Sequence, residues 1–304
     1  MVAVTGATGT IGSAVVHALL DRGESVVVLT RDPDRARERL GTGVDARLWA
    51  DPKADPAPAD ALSGCDGVVH LLGEPVAQRW NEAAKREIRD SRVLGTRQLV
   101  EGLRAADPRP RVLVSQSASG FYGPRGEEPV DEGASPARGD FLADVVVAWE
   151  DEASRAEELG MRVALTRTGV VLAPGGGALE KMLPPFKMGV GGPVAGGRQY
   201  VPWVHVDDVV GAILFALDTD AASGPFNVAA PEPVTNRDLS KALGRVLRRP
   251  AFMPVPAPAL RLLYGEMATI VTTGVRMLPG RLQELGYRWK RPDLEDALRA
   301  ATGR

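Results

Sequence analysis

The sequence predicts a doubly wound parallel α/β sheet joined to a smaller, mixed α/β lobe, and three observations lead there. Short Val-rich runs without polar alternation, the kind covered on both faces in a parallel sheet, recur from residue 2 onward. Segments of helical periodicity separate them. The first run enters its helix through glycines at 6, 9 and 12, the spacing of a tight strand-to-helix turn.

Taken in order, Val2–Thr5 reads as the first strand. Ile11, Val15, Ala18 and Leu19 then recur at helical spacing, with Gly23 just beyond the helix. Ser25–Leu29 is a second strand, Asp45–Trp49 a third and Gly67–Leu72 a clearer fourth. Glu82–Arg104 is a long helix whose Ile88, Ser91, Gly95 and Leu99 form a narrow face suited to close packing on a sheet. Strand Arg111–Ser115, helix Phe141–Leu159 and strand Arg162–Thr166 continue the alternation. Right-handed crossovers then set the loops after the strands along one carboxyl edge. From about residue 170 the texture changes. Gly and Pro punctuate 173–187 and 191–197, predicting loops or a lid around a short helix. Asp208–Leu217 is a helix returning to the sheet and Pro225–Val228 the strand after it. Thr235, with Asp238 three residues on, caps a helix to Leu247; 251–258 is an extended connector before a helix at Ala259–Met267. The division is residues 1–170 with 205–230 returning to them, and 171–304 as mainly a second lobe.

Composition narrows the function classes. The 304 residues are 44% apolar and 25% charged, ordinary for a globular chain, and the formal charge of -2 gives no general attraction for nucleic acid or an anionic membrane. A single cysteine, Cys65, excludes an internal disulfide framework and fits a reducing cytoplasm. The chain opens on its first strand, so no signal peptide is expected, and runs such as Val209–Leu217 are too short to span a bilayer. Three scattered histidines argue against a metal: His70 lies in the apolar run V-V-H-L-L and reads as a buried structural residue, and Asp207 and Asp208 beside His205 read as helix-orienting groups. The expected partner is a small molecule, with the chain a monomer or homodimer.

The glycine turn V-T-G-A-T-G-T-I-G is the chemical signal. Gly6 permits the sharp turn, Gly9 lets backbone N–H groups approach a diphosphate, and Gly12 lets the helix pack close to the strand. Thr8, Thr10 and Ile11 line the same turn, at a helix start that favours phosphate. A Rossmann-type dinucleotide site follows. At the tip of the second strand, L-T-R-D-P-D-R places Thr30 and Arg31, with Arg35 a helical turn on. Their guanidinium forks suit a 2′-phosphate, so NADP(H) is preferred over NAD(H), while Asp32 and Asp34 either reach a ribose or cap the next helix. Asp51 either accepts from adenine N6 or closes its own loop; Leu72 and Gly73 follow the fourth strand, where a small residue admits the cofactor's sugar.

These residues resemble the extended short-chain dehydrogenase/reductase superfamily through T-G-A-T-G-T-I-G at 5–12, S-Q-S-A-S-G-F-Y-G at 115–123 and V-H-V-D-D-V-V at 204–210. More narrowly, the chain resembles the atypical sugar-nucleotide epimerase-like branch, loosely called cell-division inhibitors. That likeness lies in L-G-E-P-V-A-Q-R-W at 72–80, S-R-V-L-G-T-R at 91–97, G-D-F-L-A at 139–143 and R-T-G-V-V-L-A-P-G-G-G-A-L-E-K-M-L-P-P-F at 167–186, and it runs on through P-V-P-A-P-A-L-R-L-L-Y-G-E-M. It implies an NADP(H)-type lobe and a smaller substrate lobe. It also implies a tyrosine with a lysine four residues later as the proton relay, and here the sequence departs. With Glu150 as anchor, Leu142 falls at the tyrosine position and Val146 at the lysine position, and no Tyr-x-x-x-Lys occurs anywhere in the chain.

The substitutes available are Ser117, with Ser115 and Ser119 as competitors, as a carbonyl-polarising hydroxyl, and Tyr122 as a phenol in the same loop. Arg167 is placed to hold a substrate phosphate or carboxylate, and Lys181 and Lys187 flank M-L-P-P-F in the lid. Trp203 lines an apolar pocket or belongs to the core, as does Trp80, and Asp140 caps the helix after it or reaches the cleft. The resulting expectation is an NADP(H)-dependent oxidoreductase acting on a small carbonyl or activated double bond. The alternatives are an NADP(H)-responsive binding protein, which apolar Leu142 and Val146 fit, and a nucleotide-sugar epimerase, which the missing pair opposes.

Overall fold

Seven parallel strands form the central sheet of the computed structural model, which describes residues 1–304. They are β1 (Val2–Thr5), β2 (Val26–Thr30), β3 (Val44–Leu48), β4 (Gly67–His70), β5 (Val112–Ala118), β6 (Arg162–Thr168) and β7 (Gly224–Val228). Their spatial order is β7-β6-β5-β4-β1-β2-β3. The chain therefore runs outward from β1 through β2 and β3, then crosses back to β4 on the other flank of β1. That reversal opens a crevice beyond the carboxyl ends of β1 and β4, where such sheets bind ligands. Register is exact across the switch: Val2 faces Val26 and Gly67, and Thr5 faces Leu29 and His70.

Alternate side chains of these fully buried strands feed two cores. On one face Val4, Val28, Val69 and Val114 pack under α1 (Thr10–Asp21), and on the other Ala3, Val27, Val68 and Leu113 pack under the long helix Glu82–Ala105. The latter follows α2 (Pro33–Leu40) and is α3 here; α4 (Phe141–Ser154) lies beside it. The narrow face expected of α3 is real. Gly95 admits Leu72 and Gly102 admits the Ala57 backbone, which an ideal Cβ at residue 102 would meet at 2.3 Å. The single helix expected over 141–159 instead ends at Ser154 and tightens into a 3-10 turn, Arg155–Leu159, stopped by left-handed Gly160.

The second lobe begins with strand Val170–Ala173, which pairs in parallel with Trp203–His205. Between them lies the lid helix α5 (Gly177–Lys187), with Pro184 and Pro185 inside it. Helix α6 (Val206–Asp218) returns to the sheet on the α1 face and leads into edge strand β7. Beyond these come α7 (Asn236–Leu247), capped by Thr235, α8 (Ala257–Tyr264) and α9 (Leu294–Thr302). A separate core of Leu172, Leu179, Phe186, Trp203, Leu239, Leu243 and Leu298 holds this lobe together. The connector 251–258 is extended because it pairs with the second glycine-rich stretch: Met253 N donates to Gly191 O and Val255 N to Pro193 O.

Candidate functional site

The turn between β1 and α1 lies at the crevice, and its three glycines do different work. Gly6 has φ +63°, and a Cβ there would sit 2.5 Å from Leu71 O; a Cβ on Gly12 would lie 2.2 Å from Gly6 O. Both are demanded by the protein's own packing. Gly9 is not: its φ is −76°, and a Cβ would approach only Gly6 O, at 3.3 Å. What Gly9 keeps clear is the space above the turn. As N-cap it offers no side-chain acceptor to α1, and the first turn of α1 has no acidic residue. The helix therefore presents its unpaired N–H groups and positive dipole end to that space, where a diphosphate fits. Beneath it, Thr5 Oγ1 pairs with His70 Nδ1 at 2.7 Å, and His70 Nε2 with Thr96 Oγ1 at 2.9 Å. Burial takes the His70 imidazole down to about 3, so it is neutral and structural.

At the tip of β2, Asp32 is committed to α2. Its carboxylate accepts the Arg35 N–H at 3.0 Å, and Thr30 Oγ1 accepts the Asp32 N–H at 3.2 Å. Asp34 pairs with Arg37 at 2.9 Å. Arg31 and Arg35 are exposed, and neither guanidinium forms an ion pair. Asp51 accepts the Lys53 N–H of its own loop at 3.0 Å through one carboxylate oxygen. Leu72 is half-buried against Gly95, and Gly73 lies against the Arg92 guanidinium. That guanidinium donates to Glu74 O and Ile88 O and lies 5.2 Å from the Trp149 ring centre; burial takes it down to about 10.

Behind the ends of β5 and β6 lies a closed buried network, and it absorbs three expected site residues. Arg167 donates to Glu150 through Nε and Nη2, both at 2.8 Å. Ser117, fully buried, donates to the same carboxylate at 2.5 Å. Arg167 Nη1 also reaches the Tyr122 hydroxyl at 3.0 Å, which donates in turn to Asn227 Oδ1 at 2.6 Å. The Asn227 N–H then donates to Glu132. Burial alone would lower the Arg167 pKa, but the Glu150 bonds reverse this and hold it above its ordinary value. Burial raises the Tyr122 phenol against the opposing Arg167 charge. Ser117 and Tyr122, expected from the sequence as catalytic groups, and Arg167, expected as a substrate ligand, are thus all members of this one network. Each is buried and hydrogen-bonded to a buried partner. Trp203, read from the sequence as pocket lining or core, is 1% exposed in the second lobe's core, with Nε1 donating to Glu232 O.

Around the crevice, Asp140 caps α4 through the Ala143 N–H, and the Phe141 ring meets Trp80 edge-on at 5.2 Å. Lys181 on the lid helix donates to Ala77 O across the opening, while Lys187 is exposed on the last turn. Lys85 lies over Phe141 and is ion-paired with Glu266 from the second lobe. No cluster of His, Cys, Asp and Glu is arranged to hold a metal, and no helix is long and apolar enough to cross a membrane.

The family model described as the NAD dependent epimerase/dehydratase family matches residues 2–229, and a domain of unknown function, DUF1731, matches 255–301. The chain belongs to the epimerase/dehydratase family. Among curated relatives, the chloroplastic epimerase family protein SDR39U1 homolog of Arabidopsis thaliana is 40% identical, over 98% of this chain and 86% of its own length. An epimerase family protein of Mycobacterium tuberculosis is 37% identical over 100% and 98%. The crystal structure of human epimerase family protein SDR39U1 (isoform 2) with NADPH superimposes with TM-score 0.90 at 32% identity, covering 100% of this chain and 99% of that one. UDP-glucuronic acid 4-epimerase of Bacillus cereus, at 18% identity and TM-score 0.79, shares the fold.

Within this epimerase-family fold, Leu142 and Val146 pack against Gly120, at the mouth of the β5 loop. Hydrocarbon thus occupies the place where the sequence resemblance implies a proton relay. Ser119 is partly exposed in that loop, and its hydroxyl has no hydrogen bond to the protein. Sequence reasoning missed two further residues. Glu150 gave a faint signal, an acid ending the apolar run V-V-V-A-W-E. Gln116 gave none: its Oε1 is buried near the carboxyl end of β5 without a protein partner, an acceptor open to a ligand or water.

Proposed function

We propose that this protein is an NADP(H)-dependent oxidoreductase acting on a small carbonyl or activated double bond without a tyrosine–lysine relay. The observation that carries the reading is at the tip of β2. Asp32, the carboxylate that would meet a ribose 2′-OH, is consumed as a helix cap, and Arg31 and Arg35 are left unpaired beside it. Two free guanidinium forks suit a 2′-phosphate, and a relative similar over its full length was solved with NADPH. A bound nicotinamide would supply hydride. The chain's own part is to hold the diphosphate over Gly9, to present apolar Leu142 and Val146 in place of the relay pair, and to offer Ser119 and the lid's Lys181 and Lys187 toward a substrate. Conjugate reduction asks least of such a site, because the proton can be taken from water after hydride has moved. A nucleotide-sugar epimerase fits poorly, since the relay tyrosine position is Leu142 and the phenol of the β5 loop, Tyr122, is buried against Asn227.

Fluorescence titration tests the cofactor assignment. NADPH binds more tightly than NADH, and Arg31→Ala or Arg35→Ala weakens NADPH about tenfold, the scale of one charge-assisted bond, leaving NADH unchanged. Equal affinity for both cofactors would sink it. NADPH consumption across a carbonyl and enone panel tests the activity. Tight binding with no turnover would establish the second reading, an NADP(H)-responsive binding protein, which the hydrocarbon at 142 and 146 and the sequestration of Ser117, Tyr122 and Arg167 favour.

A further inference from the structure

Arg92, in the middle of α3, carries a half-buried guanidinium that the protein uses from one nitrogen only. Both of its bonds to the chain leave from Nη1, to Glu74 O at 2.9 Å and to Ile88 O at 3.0 Å. Nε and Nη2 have no protein acceptor. No carboxylate is bonded to the group, and Glu74 acts on it only through space. Burial takes it down to about 10, so it stays charged at neutral pH. Arg167 shows what the same edge does when it is satisfied: its Nε and Nη2 take both oxygens of Glu150, each at 2.8 Å. Those two parallel N–H groups match a carboxylate in spacing and direction, and a cation withdrawn from water is costly until it is paired.

Gly73 keeps that half of the guanidinium uncovered. It is exposed, three residues beyond the end of β4. A Cβ on it would lie 3.0 Å from Arg92 Cζ, 3.1 Å from Nη2 and 3.3 Å from Nε. Its φ is not positive, so the backbone makes no demand for glycine at 73; a side chain there would cover Arg92. On α4, the Trp149 ring centre lies 5.2 Å from Cζ, one turn past Val146. Arg92 thus stands between the loop after β4 and the helix that carries Leu142 and Val146. Two carbonyls and a ring fix its plane before any ligand arrives. Lys181, which bonds Ala77 O of the same loop, adds a second cation to this opening. We propose that the Nε–Nη2 edge of Arg92 is a carboxylate-binding site in the crevice, and that the substrate is a small carboxylic acid bearing the carbonyl or activated double bond. The proposal names the substrate class of the oxidoreductase reading above and rests on it.

Titration calorimetry on the full chain, with NADP+ present, tests this using butanoate and butanamide, which share a shape and accept no hydride. Butanoate should bind at least about tenfold more tightly than butanamide, the scale of a charge-assisted fork. Arg92→Lys keeps a charge but cannot present two parallel donors, and should weaken butanoate about tenfold while NADPH affinity stays within about threefold. Gly73→Ala leaves the Arg92 bonds to Glu74 and Ile88 in place and sets a methyl over the same edge. It should weaken butanoate by a similar factor with Tm near wild type. Absence of butanoate binding, equal affinity for acid and amide, or unchanged butanoate affinity in both variants overturns the carboxylate site and leaves the cofactor reading intact. So does an NADPH affinity that falls with butanoate's in Arg92→Lys, which would assign the edge to the cofactor's own phosphates. Failure of wild type to bind NADPH or NADH overturns both.

Discussion

Glu150 faces three donors inside the first lobe, and what they do for it decides how mutations there read out. The bidentate Arg167 fork and the Ser117 hydroxyl satisfy a carboxylate that is almost wholly withdrawn from water. Removing the cation strands the anion, so Arg167→Met is expected to cost about 3–5 kcal/mol in urea denaturation. Arg167→Met with Glu150→Leu should cost clearly less than the sum of the two single changes, because the stranded charge goes too. NADPH affinity should hold in whatever folds; a large loss of affinity with full stability would return Arg167 to the ligand site. His70 gives a second test, through pH. Its folded-state value of about 3 lies below the ordinary 6.5, so the folded chain binds fewer protons than the unfolded one as pH falls through that window. Nothing is lost above 6.5. Between 6.5 and 5 the neutral ring costs about 2 kcal/mol of stability, at about 1.4 per pH unit. His70→Gln should flatten the pH dependence of the urea midpoint over that interval, and an unchanged slope would show that His70 does not control it.

At the scale of elements, the strand-to-helix turn separates folding from binding within seven residues. Gly9→Ala meets only Gly6 O at 3.3 Å, so it should fold near wild-type Tm while losing NADPH affinity. Gly12→Ala drives a methyl to 2.2 Å from Gly6 O and should cost about 1–3 kcal/mol before any ligand is added. A Gly9 variant that bound NADPH normally would remove the diphosphate from this turn. The same turn shows what the sequence made legible. Glycine spacing, Val-rich strands and helical periodicity are local properties, so the strands from β1 to β7, the glycine turn and the caps at Asp140 and Thr235 were readable from neighbours a few residues apart. The candidate site was readable only where it is equally local. Ser117, Tyr122 and Arg167 do cluster as their strand-end positions imply, yet their buried partners lie 33, 105 and 17 residues away. Trp203 was ambiguous for the same reason: an aromatic beside a glycine-rich loop looks alike in pocket and core.

Across the whole molecule, the two lobes are joined through the motif V-H-V-D-D. Asp208, 1% exposed, accepts the Lys290 N–H at 2.6 Å and the Arg291 N–H at 2.9 Å, with the Tyr287 hydroxyl at 3.2 Å. His205 and Asp207 serve the start of α6, His205 Nδ1 accepting the Asp207 N–H. One helix on the sheet thereby anchors a chain segment some eighty residues later. Tyr287 and Leu282 belong to the same hydrophobic core as β1 and α1, and Tyr287 stacks edge-on between Phe215 and Trp289 at 5.6 and 5.0 Å. Gly211 makes the approach possible, since a Cβ there would lie 2.3 Å from the Tyr287 hydroxyl. A C-terminal segment built into the sheet's core in this way cannot come off by itself. Asp208→Ala leaves two N–H groups without their acceptor, while the Tyr287 hydroxyl keeps the backbone oxygen of residue 208 at 3.1 Å, and is expected to cost about 2–4 kcal/mol. Tyr287→Phe removes one donor while Asp208 keeps its two backbone bonds, and should cost about 1 kcal/mol. Each variant should still unfold in one transition, shifted down as a unit, when followed by both far-UV circular dichroism and tryptophan fluorescence. Two separated transitions in Asp208→Ala, with residues 255–304 cleaved by protease ahead of the sheet, would show instead that the lobes are held by that one carboxylate and fold apart.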